Sequence, residues 1–460
     1  MAGKHPRHKT ENHRTRKKAN GLLPAYFLSL SVENVRCFGP AQTLDLSNGG
    51  GRPAQWTVIL GDNGVGKTTL LQSLFAFAPF QKISEDEPAA KVLIPRYPFH
   101  FDSLFYWEPF RHGYVESNFR LSGTLFFGAK LTAREGGREA SEFRVGDGKD
   151  GIDIVGRRYD EYEGVVCFGY GAARRMGRGA LSDEVQDDPT ASLFTEDTSL
   201  VNAEEWLLQA DYAASRSSPI QEDAKKRRDQ IKEVLIKLLP DVADIRFAQT
   251  RRRAPNLKLG MEVKTPYGWV SVRDLSLGYK TLVAWMVDLA SRLFDKYPDS
   301  SNPLAEPAVV LVDEIDLHLH PKWQRSLMRY LTDLFPNTQF IATAHSPLIV
   351  QSAADANIAV LRREGDHVII DNDAEAIRGW RIDQVLTSDL FGLPSARPPQ
   401  FDDLIAGRKK ILSKGKLTVS DKVKLRSLEN RIGSLPTGES AGDMEAMDII
   451  RRAAERLKSR

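Results

Sequence analysis

The stretch Gly61-Asp62-Asn63-Gly64-Val65-Gly66-Lys67-Thr68-Thr69 constrains this chain more than any other. It fits the phosphate-binding pattern G-x-x-x-x-G-K-[ST], and its flanks are those the pattern needs. Apolar, β-rich Trp56-Thr57-Val58-Ile59-Leu60 precedes it and reads as a buried strand. Leu70, Leu71, Leu74 and Phe75 follow at helical spacing until Pro79 stops the run. The glycines let backbone N–H groups turn inward and approach an anion closely. The helix N-terminus adds positive potential. Gly61, Asn63, Gly64, Gly66, Lys67, Thr68 and Thr69 then form a phosphate cradle, with Lys67 reaching the β- and γ-phosphates and Thr68 holding Mg²⁺.

A distant site complements the loop. Ala308-Val309-Val310-Leu311-Val312 is a continuous apolar run suited to a strand covered on both faces, and it ends in Asp313-Glu314. An acidic residue at a strand tip beside a phosphate loop can hold Mg²⁺, which makes Asp313 the second metal residue. Glu314 is placed to orient or activate an attacking water. A third strand, Gln339-Phe340-Ile341-Ala342-Thr343, leads to His345, within reach of a γ-phosphate or serving as a structural loop histidine. Between the two strands Trp323, Leu327, Tyr330, Leu331 and Leu334 form one apolar helical face. The resulting β-α-β unit implies a parallel sheet with the strand ends gathered on one edge. A fourth element, Asp274-Leu275-Ser276-Leu277-Gly278-Tyr279-Lys280-Thr281, precedes an apolar helix. Ser276 is suited to cap it, and Gly278 permits a close backbone approach to an anion.

The order of these four motifs resembles the ABC-type ATPase head, specifically the RecF/SMC/OLD-like group. The runs Asp313 to Gln324 and Phe335 to Pro347 carry the likeness, as does Leu30 to Phe38, which looks like the first strand and turn of such a head. The resemblance implies an α/β P-loop NTPase fold: an ABC-type head with a mainly parallel sheet, an inserted α+β lobe and a helical C-terminal extension. It implies that the chain binds ATP with Mg²⁺ and hydrolyses it, Lys67, Glu314 and His345 being catalytic. It implies a head-to-head dimer or higher oligomer in which Ser276 and Gly278 reach the γ-phosphate held by the other subunit. Asp316 would lie at the seam, and His345 would be the switch histidine. The glutamine of the Q-loop is not assigned. His318 and His320, near Asp313 and Asp316, could alternatively suggest a metal-dependent phosphohydrolase; the resemblance gives the same run as structure and dimer seam.

The middle of the chain narrows the resemblance. Gly169-Tyr170-Gly171-Ala172-Ala173-Arg174-Arg175, with Ser192-Leu193-Phe194 and Glu205-Trp206-Leu207, looks like Septu-type antiphage defence ATPases and their retron-associated relatives. That likeness implies a motor or sensor subunit acting with a separate nuclease or toxic effector. A RecF-like genome-maintenance ATPase binding DNA directly is the alternative, and a transporter ATPase subunit a third reading that the inserted lobe disfavours. The segment after Ile349 has no evident acidic Toprim pattern and no histidine beyond His367, so a nuclease is expected on another chain.

Residues 1–20 are basic and almost free of apolar side chains, which predicts a disordered tail. The head is expected over 21–375, its inserted lobe over about 80–265, and the extension over 376–460. Within the lobe, Leu121 to Phe127 reads as a strand, Val165 to Ala172 as a strand running into a glycine turn, Glu135 to Asp150 as an exposed turn or hairpin tip, and Gly177 to Thr190 as a mobile loop. Helices are expected at 204–214, 221–239, 380–391, 405–412, 418–432 and 442–457. A net charge of +3 is too small to indicate nucleic acid, which stays possible through Arg251-Arg252-Arg253 and through Arg174, Arg175 and Arg178 if these share a face. The two cysteines, Cys37 and Cys167, suit a reducing compartment, and no apolar run is long enough to span a membrane. A cytoplasmic protein without membrane partners is therefore expected.

Overall fold

The computed structural model describes residues 25–33, 35–48, 52–76, 166–177, 191–249, 259–353, 355–373, 380–388, 390–393, 398–414 and 417–432, together with strands at 79–83, 91–95, 114–121, 125–134 and 137–146. The expected tail at 1–20, the last helix at 442–457, Arg178 and Arg251 to Arg253 lie outside the described residues, as does nearly all of the loop expected at 177–190.

The central sheet is built from β3 (Trp56–Gly61), β9 (Cys167–Tyr170), β15 (Ala308–Val312), β16 (Thr338–Thr343), β17 (Asn357–Glu364) and β18 (His367–Asp371). Its order is β18-β17-β3-β16-β15-β9. From β17 to β9 every pair is parallel, and β18 closes one edge antiparallel to β17. The sequence explains the arrangement. β15 and β16 are buried at every residue, as parallel strands covered on both faces must be. Helix α1 (Lys67–Ala76) inserts Leu70, Leu71, Leu74 and Phe75 into the core. Parallel strands end on one edge, so β3, β9, β15 and β16 bring Gly61, Tyr170, Val312 and Thr343 together.

A second, antiparallel sheet runs in the order β2-β1-β6-β7-β8. Its members are β1 (Ala25–Glu33), β2 (Gln42–Asp45), β6 (Tyr114–Leu121), β7 (Leu125–Arg134) and β8 (Gly137–Gly146), while β4 (Pro79–Ile83) pairs with β5 (Lys91–Pro95) and β10 (Arg175–Met176) with β11 (Ser199–Leu200). Gln339 of β16 joins the two sheets, accepting from the Phe27 N–H at 2.9 Å and donating to the Phe27 carbonyl at 2.8 Å. Two expectations are corrected here. Leu121 pairs antiparallel with Leu125, so the run from Leu121 to Phe127 straddles two strands instead of forming one. Residues 137–146, read as part of an exposed turn or hairpin tip, form a full strand that pairs antiparallel along β7 from Gly137 opposite Arg134 to Gly146 opposite Phe126. Glycine and charge marked a turn there, but the ladder supplies the backbone hydrogen bonds that composition cannot report.

Helices α2 (Ala203–Ser215) and α3 (Gln221–Leu238) pack beside a three-stranded sheet of β12 (Asp244–Gln249), β13 (Leu259–Thr265) and β14 (Gly268–Ser271). Asn202 caps the first helix by accepting from the Glu205 N–H. α4 (Leu277–Lys296) is buried along most of its length and α5 (Pro321–Leu334) only along one stripe, including Leu327, Met328 and Leu331. The helix expected at 380–391 is confined to Ile382–Thr387. Chain contacts separate residues 386–460 as a second compact unit. Within it, helices Asp402–Leu412 and Val419–Ile432 contact each other. Thr418 opens the latter helix in a reciprocal cap: its hydroxyl accepts from the Asp421 N–H, and its own N–H donates to the Asp421 carboxylate.

Candidate functional site

The loop after β3 is shaped by what surrounds it. Gly66 has φ +90°, and a Cβ there would lie 2.5 Å from Cys37 Sγ and 2.9 Å from Phe38 Cε2. Conformation and space both exclude a side chain at this position. Lys67 begins α1 and folds back, Nζ donating to the carbonyls of Gly61 and Asp62 at 2.8 Å each. Burial lowers the pKa of its ammonium, while Asp313, Glu314, Asp62 and Asp316 act in the opposite direction. A cavity of ≈ 510 Å³ opens here, lined by Arg36, Cys37, Asn63, Gly64, Gly66, Lys67, Thr68, Thr69, Asp313, Glu314 and His345.

Across that cavity the strand ends form a hydrogen-bonded cluster. Thr68 Oγ1 donates to Asp313 Oδ2 at 2.7 Å, and Thr343 Oγ1 donates to Asp313 Oδ1 at 2.6 Å. The Thr343 hydroxyl also accepts from the Glu314 N–H at 2.7 Å. Glu314 has φ 48°, a left-handed conformation that costs a non-glycine residue about 1–2 kcal/mol. Arg36 and Arg174 are also left-handed, at φ 48° and 33°. Of these, Glu314 and Arg36 line the cavity, and Asp241 and His318 are left-handed away from it.

Thr68 and Asp313 offer two hard oxygen ligands. Adjacent ligands of an octahedral Mg²⁺ stand about 2.9 Å apart, and Mg²⁺ favours one or two protein oxygens alongside phosphate and water. The 2.7 Å separation of Thr68 Oγ1 and Asp313 Oδ2 suits that ion.

The remaining expected residues divide. His345 lines the cavity, and its N–H bonds the Asp316 carboxylate at 3.3 and 3.2 Å. Asp316 thus anchors the His345 backbone within the chain and is not among the cavity residues. Ser276 is at the N-cap of α4, exposed, and its side chain makes no cap hydrogen bond; Leu277 beside it is also exposed. Gly278 is buried, and a Cβ there would meet the His318 carbonyl at 2.4 Å. This glycine is thus required by the chain's own packing, a reason its sequence context did not reveal. His320 caps α5, Nδ1 accepting from the Lys322 N–H at 3.3 Å.

Arg36, Cys37, Thr343 and Arg174 escaped the sequence reading of the site. Arg36 donates to Thr69 Oγ1 at 3.1 Å from the turn after β1. Arg174, a candidate for a basic surface if it shared a face with Arg175 and Arg178, is buried and donates to the carbonyls of Asp313 and Glu314. That removes it from any exposed patch, whereas Arg175 is exposed.

Parallel strands with a phosphate loop at one end, an Asp-Glu at the next-but-one and a Ser-x-Gly turn whose Ser276 is exposed define the architecture. The fold is that of an ABC-type P-loop NTPase head. Two family models match parts of the chain: "AAA domain, putative AbiEii toxin, Type IV TA system" over residues 170–351, and "AAA domain" over residues 29–242. Among curated proteins, the chain is 24% identical to Septu protein PtuA of Bacillus mycoides (strain KBAB4), over 82% of this chain and 46% of that one. It is 36% identical to the Retron Vc95 probable ATPase of Vibrio cholerae serotype O1 biovar El Tor, over 30% of this chain and 25% of that one. With the Retron Ec83 probable ATPase of Escherichia coli the identity is 32%, over 42% and 34% of the two chains. The alignments span less than half the length of each of these relatives. An SMC head solved with the C-winged helix domain of ScpA superposes with a TM-score of 0.43 at 16% identity, over 75% of this chain and 97% of that one. No helix among the described residues is long and apolar enough to cross a membrane.

Proposed function

We propose that the chain binds Mg-ATP in this cavity and hydrolyses it to ADP and phosphate. One observation carries the reading. Lys67, the Thr68–Asp313 pair and Glu314 come from distant segments and line one cavity, in the order that phosphoryl transfer requires. The transition state of that reaction needs positioning and charge neutralisation more than covalent chemistry. The Gly64 to Thr69 backbone and Lys67 bind the phosphates. Thr68 and Asp313 would hold Mg²⁺, which when bound neutralises charge on the phosphate oxygens. Glu314 orients the attacking water and takes its proton, and His345 supports the γ-phosphate by a hydrogen bond.

Replacement of Glu314 by Gln keeps the shape of the site and removes the base. Turnover should fall by about 10² or more, the upper part of the range for general acid–base catalysis, with ATP affinity nearly unchanged. Steady-state phosphate release beside equilibrium binding of a fluorescent ATP analogue decides it. Undiminished turnover in Glu314→Gln removes the residue from its role, and chelation of Mg²⁺ should abolish turnover in the unmodified protein.

At the level of the assembly, the exposed Ser276-Leu277 turn supports a head-to-head dimer in which Ser276 completes the partner's site. Similarity to Septu and retron ATPases supports a role as motor or sensor in cytoplasmic antiphage defence, acting with a separate nuclease or toxic effector. Burial of Arg174 weakens the competing reading of direct DNA binding, which counted it in a basic surface.

A further inference from the structure

We propose that Arg174 is a positioning residue for the chemistry of Glu314: it clamps the Asp313 and Glu314 carbonyls from behind the site and so fixes where the Glu314 carboxylate stands. The inference rests on the ATPase reading above. Arg174 Nη1 donates to the carbonyl of Asp313 and, at 3.1 Å, to that of Gly171; Nη2 donates to the carbonyl of Glu314 at 2.8 Å. The other face of the guanidinium lies 5.6 Å from the centre of the Trp285 ring on α4. The side chain is buried and donates to carbonyls, with the charges of Asp313, Asp316 and Glu314 near enough to favour its cationic form. Withdrawing a guanidinium from water is costly even so. Its acceptors are the two residues that carry the metal and the water chemistry.

The surrounding bonds show why a clamp is needed. The Asp313 N–H is held by the Tyr170 carbonyl at 2.8 Å, and the Glu314 N–H by Thr343 Oγ1 at 2.7 Å. Arg174 takes the carbonyls of the same two residues. Each peptide is therefore fixed at both ends, and the left-handed Glu314 backbone has no easy relaxation. The planar fork reaches three carbonyls from two nitrogens at fixed spacing; a lysine ammonium is a single point on a flexible stem.

The test uses the full chain with Arg174→Lys, which keeps the charge, and Arg174→Met, which removes it. ATP turnover, KM, nucleotide affinity and thermal midpoint are measured for each. In folded Arg174→Lys, kcat should fall on the order of 10², the effect of misplacing a catalytic group by about 1 Å, while KM and affinity stay within about threefold. Because Arg174 acts through Glu314, adding Arg174→Lys to Glu314→Gln should cost nothing further in single-turnover rate. Folded Arg174→Lys with unmodified kcat overturns the proposal, and so does a full multiplicative loss in the double variant. If neither variant folds, the residue serves folding and the proposal is rejected. No ATP turnover in the unmodified chain would overturn the ATPase reading first and this inference with it; normal turnover with an indifferent Arg174→Lys overturns this inference alone.

Discussion

Thr343 shows how much of the site one hydroxyl organises. It donates to Asp313 Oδ1 and accepts from the Glu314 N–H, so it holds both the residue proposed to bind the metal and the residue proposed as base. Thr343→Val keeps the shape and removes both bonds. The loss should be about 1–3 kcal/mol of stability, the cost of leaving a buried polar partner unpaired, with kcat lowered about tenfold or more; Thr343→Ser should restore most of each. Chemical denaturation and phosphate release measure the two effects, and unchanged turnover in Thr343→Val would show that the hydroxyl does not organise the cluster. Lys67, Thr68 and Asp313 were legible because each falls within a short motif whose spacing is its own evidence. Thr343 was not, because it reads as the last residue of a buried strand. Arg174 misled for a physical reason: arginine is mostly exposed, and it is the carbonyls of Gly171, Asp313 and Glu314, with the Trp285 ring, that receive it here.

At the scale of elements, the parallel strands were legible because burial on both faces leaves a continuous apolar run, and β3, β15 and β16 all begin and end within a residue of their expected limits. Pairing was less legible. β9 falls in the stretch expected to form an inserted lobe, yet it lies beside β15 in the central sheet. Its short apolar run carries no sign of its neighbour. β9 is also tied to α4, the helix that Ser276 begins. The Tyr170 hydroxyl donates to Asp288 Oδ2 at 2.9 Å, the Arg292 Nε donates to the same oxygen at 2.7 Å, and the Val201 N–H donates to Oδ1 at 3.1 Å. Asp288 is fully buried, and it helps hold the Tyr170 phenol well above its ordinary pKa, burial being the larger cause. Asp288→Ala would strand these donors. A loss of about 3–5 kcal/mol is expected, as for removal of one partner from a buried charged network. Urea unfolding measures it; a loss below about 1 kcal/mol would mean that the network relaxes around the gap.

For the whole molecule, the dimer proposal makes a prediction that a monomer cannot satisfy. Gly278 is a poor place to test it, because any side chain there meets the His318 carbonyl and disturbs the chain's own fold. Ser276 is exposed, so Ser276→Arg spares the fold while blocking a facing phosphate. Ser276→Arg alone should bind ATP and fail to hydrolyse it; Lys67→Ala alone should not bind. Mixed, they build one composite site from an intact loop and an intact Ser276, and part of the turnover should return. Full turnover by Ser276→Arg alone would reject the shared site. The contact between Gly278 and His318 also governs how such a chain can vary by descent. The obstructing atom is a main-chain oxygen, which every amino acid carries, so no exchange of residue 318 makes room for a side chain at 278. A genetic suppressor would have to reroute the turn itself, by insertion or deletion between Asp313 and Pro321. The two segments can be inherited only as a matched pair, and a recombinant that takes them from different parents is viable only where both parents shape that turn alike.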